Sequence, residues 1–310
     1  MNKLPKISVV IPCINAENTI QKTFDSLRMQ NYGNLECIVI DGASTDSTLS
    51  IIEKNNDIVD ILVSEKDNGA SEAQNKGIKL STGDLIGYLH TDDYYEDNML
   101  FEISNAYIKN KNSCDIFSYG LEIENLSDGK VIMSSFLKKN LELKLNNILF
   151  KHAMGHFYKK NIFLKYGYLK TYSNTGGDLY ANDKEHLVRL CLFGVKNYVI
   201  EKVLYRMRAH SRSNTLSRRN ILTIRYQHIE IADSFLLIYK DSLYKYNKLK
   251  DFKAHNLSLL FAYYVLTLST KKLFDTFKIG YEFRGFFWFF DIFYCPAKEI
   301  LYRASVKKWF

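Results

Sequence analysis

The stretch Leu35-Glu-Cys-Ile-Val-Ile-Asp-Gly-Ala-Ser-Thr-Asp46 decides the fold. Its apolar run, residues 35–40, is strand-length and does not alternate with polar residues. A strand covered on both faces, as in a parallel sheet, reads this way. The run stops on Asp41 and passes into small polar residues, the composition of a turn. The same grammar recurs on either side. Residues 7–11, 58–63 and 85–89 are further compact apolar runs. Between them lie helical patterns. Ile20, Phe24 and Leu27 recur at i, i+4, i+7 on a stretch beginning after Asn15, and residues 45–54 and 70–80 follow suit. Strand and helix in alternation predict an α/β fold, a mostly parallel sheet with helices on both faces. In such sheets ligands gather beyond the carboxyl ends of the strands.

Those ends carry one kind of chemistry. The first run leads into Pro12, Asn15 and Glu17, and the second into Asp41, Ser44 and Asp46. The third leads into Glu65, Asp67 and Asn68, and the fourth into His90, Thr91, Asp92 and Asp93. Asn15, Ser44, Thr45 and Asn68 each suit a helix N-cap. Caps alone do not explain acids at all four strand ends. No G-x-G-x-x-G follows the first run, and no G-x-x-x-x-G-K-[ST] occurs. The dinucleotide and P-loop readings lose their support, and a nucleotide here calls for carboxylates and a metal.

Four segments in order, S-V-V-I-P (8–12) with Asn15, I-V-I-D-G-A-S-T-D (38–46), V-S-E-K-D-N-G-A-S-E-A-Q-N-K-G-I (63–78) and S-T-G-D-L-I-G-Y-L-H-T-D-D-Y-Y (81–95), resemble the inverting nucleotide-sugar glycosyltransferases of family 2. A weaker match runs on to about residue 215. The resemblance implies a GT-A, Rossmann-like fold over residues 1–217, with a nucleotide-sugar half to about 95 and an acceptor half from 96. It also implies roles. Asp41 would read the base edge, with Ser44 in the same loop. Pro12, Asn15 and Glu17 would line base and ribose, and Asp67 would touch the nucleotide. Asn75 and Lys76 would face the donor, with a plain solvated helix charge as the other reading of Lys76.

His90-Thr91-Asp92-Asp93 stands where the family carries D-x-D. There a carboxylate-bound Mn²⁺ or Mg²⁺ neutralises the departing diphosphate. Asp92 is expected as ligand with Asp93 supporting it. His90 replaces the usual acid and puts the ribose contact made there in question. Asp183, in Ala181-Asn-Asp-Lys-Glu-His, would begin the helix that supplies the general base, with Glu185 and Asp178 as rivals. Arg206, Arg208 and His210 resemble a basic loop closing on the diphosphate, against a plain solvated loop. His152 and His156 flank an acceptor-side segment. The pair has H-x-x-x-H spacing but lacks the acid partner of a zinc site.

The implied reaction is metal-dependent, inverting transfer from a nucleotide diphosphate sugar, a UDP-sugar by default, to a glycan or lipid-linked glycan in surface polysaccharide synthesis. A nucleotidyltransferase would favour a basic N-terminal signature loop, which is absent here. A non-catalytic glycan-binding or scaffold protein is suggested only by His90, and Asp41, Asp92 and Asp183 speak against it.

Charge locates the rest. The 42 Lys and Arg exceed the 34 Asp and Glu by eight. Residues 1–217 hold 26 of each, so the whole excess, 16 against 8, lies in residues 218–310. That tail is helical in pattern, aromatic and basic, with runs such as G-F-F-W-F-F-D-I-F-Y-C (285–295). It suits an anionic membrane interface, or packing on the body or a second copy. No nucleic-acid module is visible. The five cysteines are scattered without C-x-x-C, as reduced buried thiols are. No signal peptide or membrane span is expected, so the chain is read as cytoplasmic or peripheral on the cytoplasmic membrane face.

Overall fold

The computed structural model describes residues 4–135, 141–150, 155–173, 179–209 and 220–305. The chain divides into two compact units, Met1–Tyr172 with Asn182–Ala209, and Ser173–Ala181 with His210–Phe310.

The first unit opens with β1 (Ile7–Cys13), α1 (Ile20–Met29), β2 (Leu35–Asp41), α2 (Thr48–Lys54), β3 (Ile61–Ser64), α3 (Ala70–Leu80) and β4 (Leu85–Tyr88). These are the alternating elements of the sequence pattern. β1 pairs in parallel with β2 and β4, and β2 with β3. Then follow β5 (Tyr94–Tyr95), α4 (Met99–Asn110), β6 (Ile116–Asn125), β7 (Val131–Ser135), α5 (Leu145–Phe150), β8 (His156–Lys159), α6 (Asn161–Tyr166), α7 (Asn182–Leu192) and β9 (Asn197–Ala209). All strands join one sheet, ordered β3-β2-β1-β4-β8-β6-β9-β5, with β7 on β6. Beyond β4 the sheet is mixed. β8 runs antiparallel to both neighbours, β9 parallel to β6, and β5 antiparallel to β9.

The burial pattern explains the unbroken apolar runs. Every residue of β1 is buried. Val9, Ile11, Cys37 and Val39 face one core with Ile20, Phe24 and Leu27 of α1. Ile38 and Ile40 face the other side with Ala73 of α3. Adjacent side chains thus enter opposite layers, so both must be apolar. α3 lies so close to β1 that a Cβ on Gly77 would sit 2.2 Å from a methyl of Val10.

The second unit is helical: α8 (Ile221–Ile238), α9 (Leu243–Leu266), α10 (Thr270–Arg284), a 3-10 turn (Gly285–Phe287) and α11 (Trp288–Ser305). Its buried residues include Ala232, Leu249, Phe252, Leu260, Tyr264 and Trp288. Gly280 admits Trp288, whose ring a Cβ there would meet at 2.2 Å. Among the described residues no helix is long and apolar enough to cross a membrane.

Gly77→Ala is expected to lower stability by about 1–3 kcal/mol through overpacking against β1. Gly33→Ala, with open space around it, serves as the control. Thermal melts of both variants check this, and an unchanged Gly77→Ala midpoint would contradict the close approach.

Candidate active site

The loops after β1 and β2 are stitched together by their polar side chains. Asp41 is fully buried at the end of β2. Its carboxylate accepts from the Ser44 hydroxyl (2.5 Å), the Ser44 N–H (3.0 Å) and the Ser64 hydroxyl (2.7 Å). The Ser44 Oγ accepts in turn from the Asn15 N–H at 2.8 Å. Asn15 takes a left-handed φ of 47°, and its Oδ1 accepts the Thr45 N–H at 2.9 Å. Glu17 accepts the Ser47 N–H at 3.0 Å. Pro12 lies buried within β1 beside Ile40. A Cβ on Gly42 would come within 3.0 Å of Asp67 Oδ2, so Asp67 reaches back over the β2 loop. The Cys13 thiol points at Asp41 (3.6 Å); burial, then the Asp41 charge, push its pKa up and keep it protonated.

Pro12, Asn15, Glu17, Asp41, Ser44 and Asp67 therefore meet at one sheet edge. Asn15, Ser44, Thr45 and Asn68 do not cap helices. α1, α2 and α3 have no side-chain cap bond; Asn15, Ser44 and Thr45 join loop to loop instead. Asn68 bonds Glu72 at 2.8 Å. Asn75 is a brace. Its amide donates to the Leu169 carbonyl (2.8 Å) and accepts the Leu169 N–H (3.0 Å), which occupies both ends. Lys76 is paired with Glu65 (2.9 Å) and Glu72 (3.3 Å) at the rim.

The turn after β4 is clamped from β9. Asp93 is buried. It accepts from the Tyr205 hydroxyl (2.6 Å) and the Arg208 N–H (2.9 Å). Thr23 donates to the carbonyls of Thr91 (3.0 Å) and Asp93 (2.8 Å). The Arg208 guanidinium, itself buried, donates to the Asp92 carbonyl and to that of Thr19 (3.4 Å). Burial, then the charge of Asp92, raise the Asp93 pKa well above the carboxylate range.

Asp93 thus faces the protein, and Asp92, only partly buried, is the carboxylate left at the site. Both arginines have protein partners. Arg206 is held between Glu96 and Glu122, and Arg208 grips the backbone that carries Asp92. Each guanidinium has partners within its own unit, which the local sequence does not reveal. His210 lies outside the described residues.

α7 brings Asp183 to the same place. Asn182 donates to Ser71 (2.6 Å) and Gln74 (3.3 Å) of α3, beside the Asp67 loop. Asp183 is open to solvent, yet the surrounding protein mass raises its pKa by desolvation. The charges of Lys184 and His90 act in the opposite sense. That Asp183 feels His90 puts the proposed base and the β4 turn in one site. Its rival Glu185 is buried and bonded to Arg189 at 3.1 and 3.0 Å, a structural pair. Asp178 lies outside the described residues.

Beside Asp183 lies a group of aromatic rings that the sequence pattern does not single out. The Asp183 charge adds to burial in raising the Tyr158 pKa. Tyr158 stands 5.6 to 6.0 Å, centroid to centroid, from His186, His156 and Tyr88. Asn197 orders the surroundings of His156. Its Oδ1 accepts from Leu143 N–H (2.8 Å) and its Nδ2 donates to Ser118 Oγ (2.6 Å). Ser118 Oγ and His156 Nδ1 share a hydrogen bond of 2.8 Å. Burial drives the His156 pKa down to about 3, so the ring is neutral. His186 is likewise pushed to about 3, by burial first and then Arg189. His152 lies outside the described residues. Among those described, no group of three or more His, Cys, Asp or Glu forms a cation site, and the zinc reading gains nothing. Helical spacing was a usable signal for His186, three residues after Asp183. Tyr158 and Tyr205 carried none, because each is one apolar position in a β pattern.

The fold is a mixed α/β sheet with acids at the ends of its parallel strands. The family described as Glycosyl transferase family 2 matches residues 8–167, and the chain belongs to that family and is a glycosyltransferase. It is 27% identical to the poly(ribitol-phosphate) beta-N-acetylglucosaminyltransferase TarP of Staphylococcus aureus, over 90% of this chain and 85% of that protein. It is 25% identical to the chondroitin synthase of Pasteurella multocida over 80% of this chain, and spans only 25% of that longer protein. Its fold resembles S. aureus TarS residues 1–349, solved with UDP-GlcNAc (TM-score 0.67, 18% identity, 98% of this chain and 90% of TarS covered). It also resembles the Pyrobaculum calidifontis mannosyltransferase solved with GDP-Man and Mn²⁺ (TM-score 0.53, 18% identity, 96% of this chain and 87% of that one covered).

The two neutral histidines predict a pH dependence. Both bind a proton near pH 6.5 when unfolded but only near 3 when folded. The unfolded state therefore holds more protons between these values, and stability falls as pH drops from 6.5 towards 3. Each histidine contributes about 1.4 kcal/mol per pH unit. Asp93 and Asp183, raised in the fold, act in the opposite sense, so a variant isolates the effect. Urea unfolding at pH 4.5 to 6.5 should lose about one proton's worth of slope in His156→Gln. An unchanged slope contradicts the buried neutral state.

Proposed function

We propose that the enzyme transfers one sugar, with inversion, from a nucleotide diphosphate donor to a glycan or lipid-linked glycan acceptor in surface polysaccharide synthesis. The observation that supports this is that β2 and β4, which lead into Asp41 and Asp92, both run parallel to β1, while Asn182, next to Asp183, bonds Ser71 and Gln74 of α3. Asp41, buried and held by Ser44 and Ser64, would meet the base edge only by exchanging one of those partners for it, and Asn15, Glu17 and Asp67 would line the same pocket. The family kinship and the TarS and mannosyltransferase folds support a nucleotide-sugar donor, with a UDP-sugar as default.

A divalent cation fits in part. Asp92 is one partly buried carboxylate, and Mg²⁺-type sites often take one or two carboxylates and complete their shell from substrate phosphates and water. Such a cation, Mn²⁺ or Mg²⁺, would neutralise the diphosphate as it departs. Asp93, Tyr205 and Arg208 hold the Asp92 backbone in place. Asp183 accepts the proton of the acceptor hydroxyl, whose oxygen forms a bond to the anomeric carbon. The bond from that carbon to the diphosphate breaks on the opposite side, through an oxocarbenium-like state. A base pKa raised by desolvation strengthens the carboxylate's hold on that proton. The helical unit either keeps the enzyme on the cytoplasmic face of a membrane or pairs two copies.

Asp183→Asn should reduce transfer at least ~100-fold, the typical scale for losing a general base, with donor affinity nearly unchanged. Nucleotide release from a donor panel with Mn²⁺, Mg²⁺ or EDTA, alongside donor binding, measures both. Pyrophosphate in place of nucleoside diphosphate would indicate a nucleotidyltransferase. Donor binding without turnover in the native chain would indicate a scaffold, and full turnover by Asp183→Asn would remove the assigned base.

A further inference from the structure

α11 turns its apolar side outward. On α11, Phe290 (61% exposed), Phe293 (74%) and Tyr294 (66%) follow one another at i, i+3 and i+4 with Phe289 beside them, and Phe286 (71%) and Phe287 of the preceding 3-10 turn are exposed next to them. That spacing is one stripe of a helix. The opposite side is the packed one. Trp288 is fully buried against Gly280 of α10, and its ring stands 6.4 Å from Phe261. A helix that packs on its own unit ordinarily shows charged residues to solvent. Here the outward arc is wholly aromatic along its described part. In the sequence the same spacing continues through Ala297, Ile300, Leu301 and Ala304, while Lys298 and Arg303 fall off it.

We propose that this arc lies in the interface of an anionic lipid bilayer, with its aromatic side chains among the headgroups and upper acyl chains. The proposal deepens the membrane-or-dimer reading of the helical unit and chooses the membrane. Charge makes the choice. Residues 218–310 carry 16 basic and 8 acidic residues, whereas residues 1–217 carry 26 of each. A second copy would bring the same excess with it, and like charges would oppose pairing, whereas an anionic surface attracts it. Exposed Lys271, Lys272 and Lys278 on α10 add to that attraction. A helix with an aromatic face and basic flanks that cannot span a bilayer has the make-up of an interfacial anchor.

The test uses the full chain with phosphatidylcholine vesicles, with and without phosphatidylglycerol, in a flotation assay. The chain should float about tenfold more with the anionic vesicles, and high salt should weaken this. The triple variant Phe286→Ser, Phe290→Ser, Phe293→Ser should lose flotation while its circular dichroism and nucleotide release match the native chain. Charge reversal, Lys271→Glu with Lys278→Glu, should weaken flotation without abolishing it. Absence of flotation by the folded native chain, or equal flotation with both vesicles, overturns the proposal. So does a native dimer that the triple variant turns into a monomer. Nucleotide release on the same samples keeps the chemistry separate, because failure of turnover leaves the flotation result standing.

Discussion

A single buried carboxylate joins the two ends of the catalytic unit. Asp93 ends the turn after β4, and it is met there by the Tyr205 hydroxyl and the Arg208 N–H of β9, more than a hundred residues later. Opening either contact would leave a buried polar group unsatisfied, and such a loss costs more than the bond itself contributes. The register of β9, the path of the β4 turn and the position of the Asp92 backbone are therefore set together. Tyr205 also packs edge-on against Tyr95 at 5.8 Å, so the polar clamp is continuous with the core.

The other arm of the site follows from the parallel strands. β1, β2, β3 and β4 all deliver their carboxyl ends to one edge, and the loops after β1 and β2 bond to one another. Ser44 shows how. It accepts from Asn15 and donates to Asp41, so two loops share one hydroxyl. The proposed donor pocket would be acidic, and an anionic donor in it would call for a cation. The electrical neutrality of residues 1–217 fits that division of labour, with the basic excess reserved for the helical unit.

Much of this was legible in the sequence, for a physical reason. Strands buried on both faces must be apolar throughout, and their ends must be polar, so residues 7–95 announce their elements and their ligand edge. The mixed half of the sheet was less visible. β8 is four residues long and β5 two, too short for a periodic signal. The partners of three expected donor contacts were not legible, for one cause. Asn75, Arg206 and Arg208 are the right residue types for donor contacts, but each finds its partners in distant segments, Leu169, Glu96 with Glu122, and the Asp92 backbone. Residue type announces bonding capacity, and only the fold shows where that capacity is used. Tyr158 and Tyr205 were hidden for the converse reason, because a buried polar aromatic looks like any other core position.

The account is tested most directly by a crystal structure of the chain with UDP and Mn²⁺. It predicts the uracil edge on Asp41, the ion held by Asp92 and the diphosphate oxygens, Asp93 still bonded to Tyr205 and Arg208, and Asp183 facing the vacant sugar position. Asp93 on the metal, or a nucleotide bound away from the β1 and β2 loops, would contradict it.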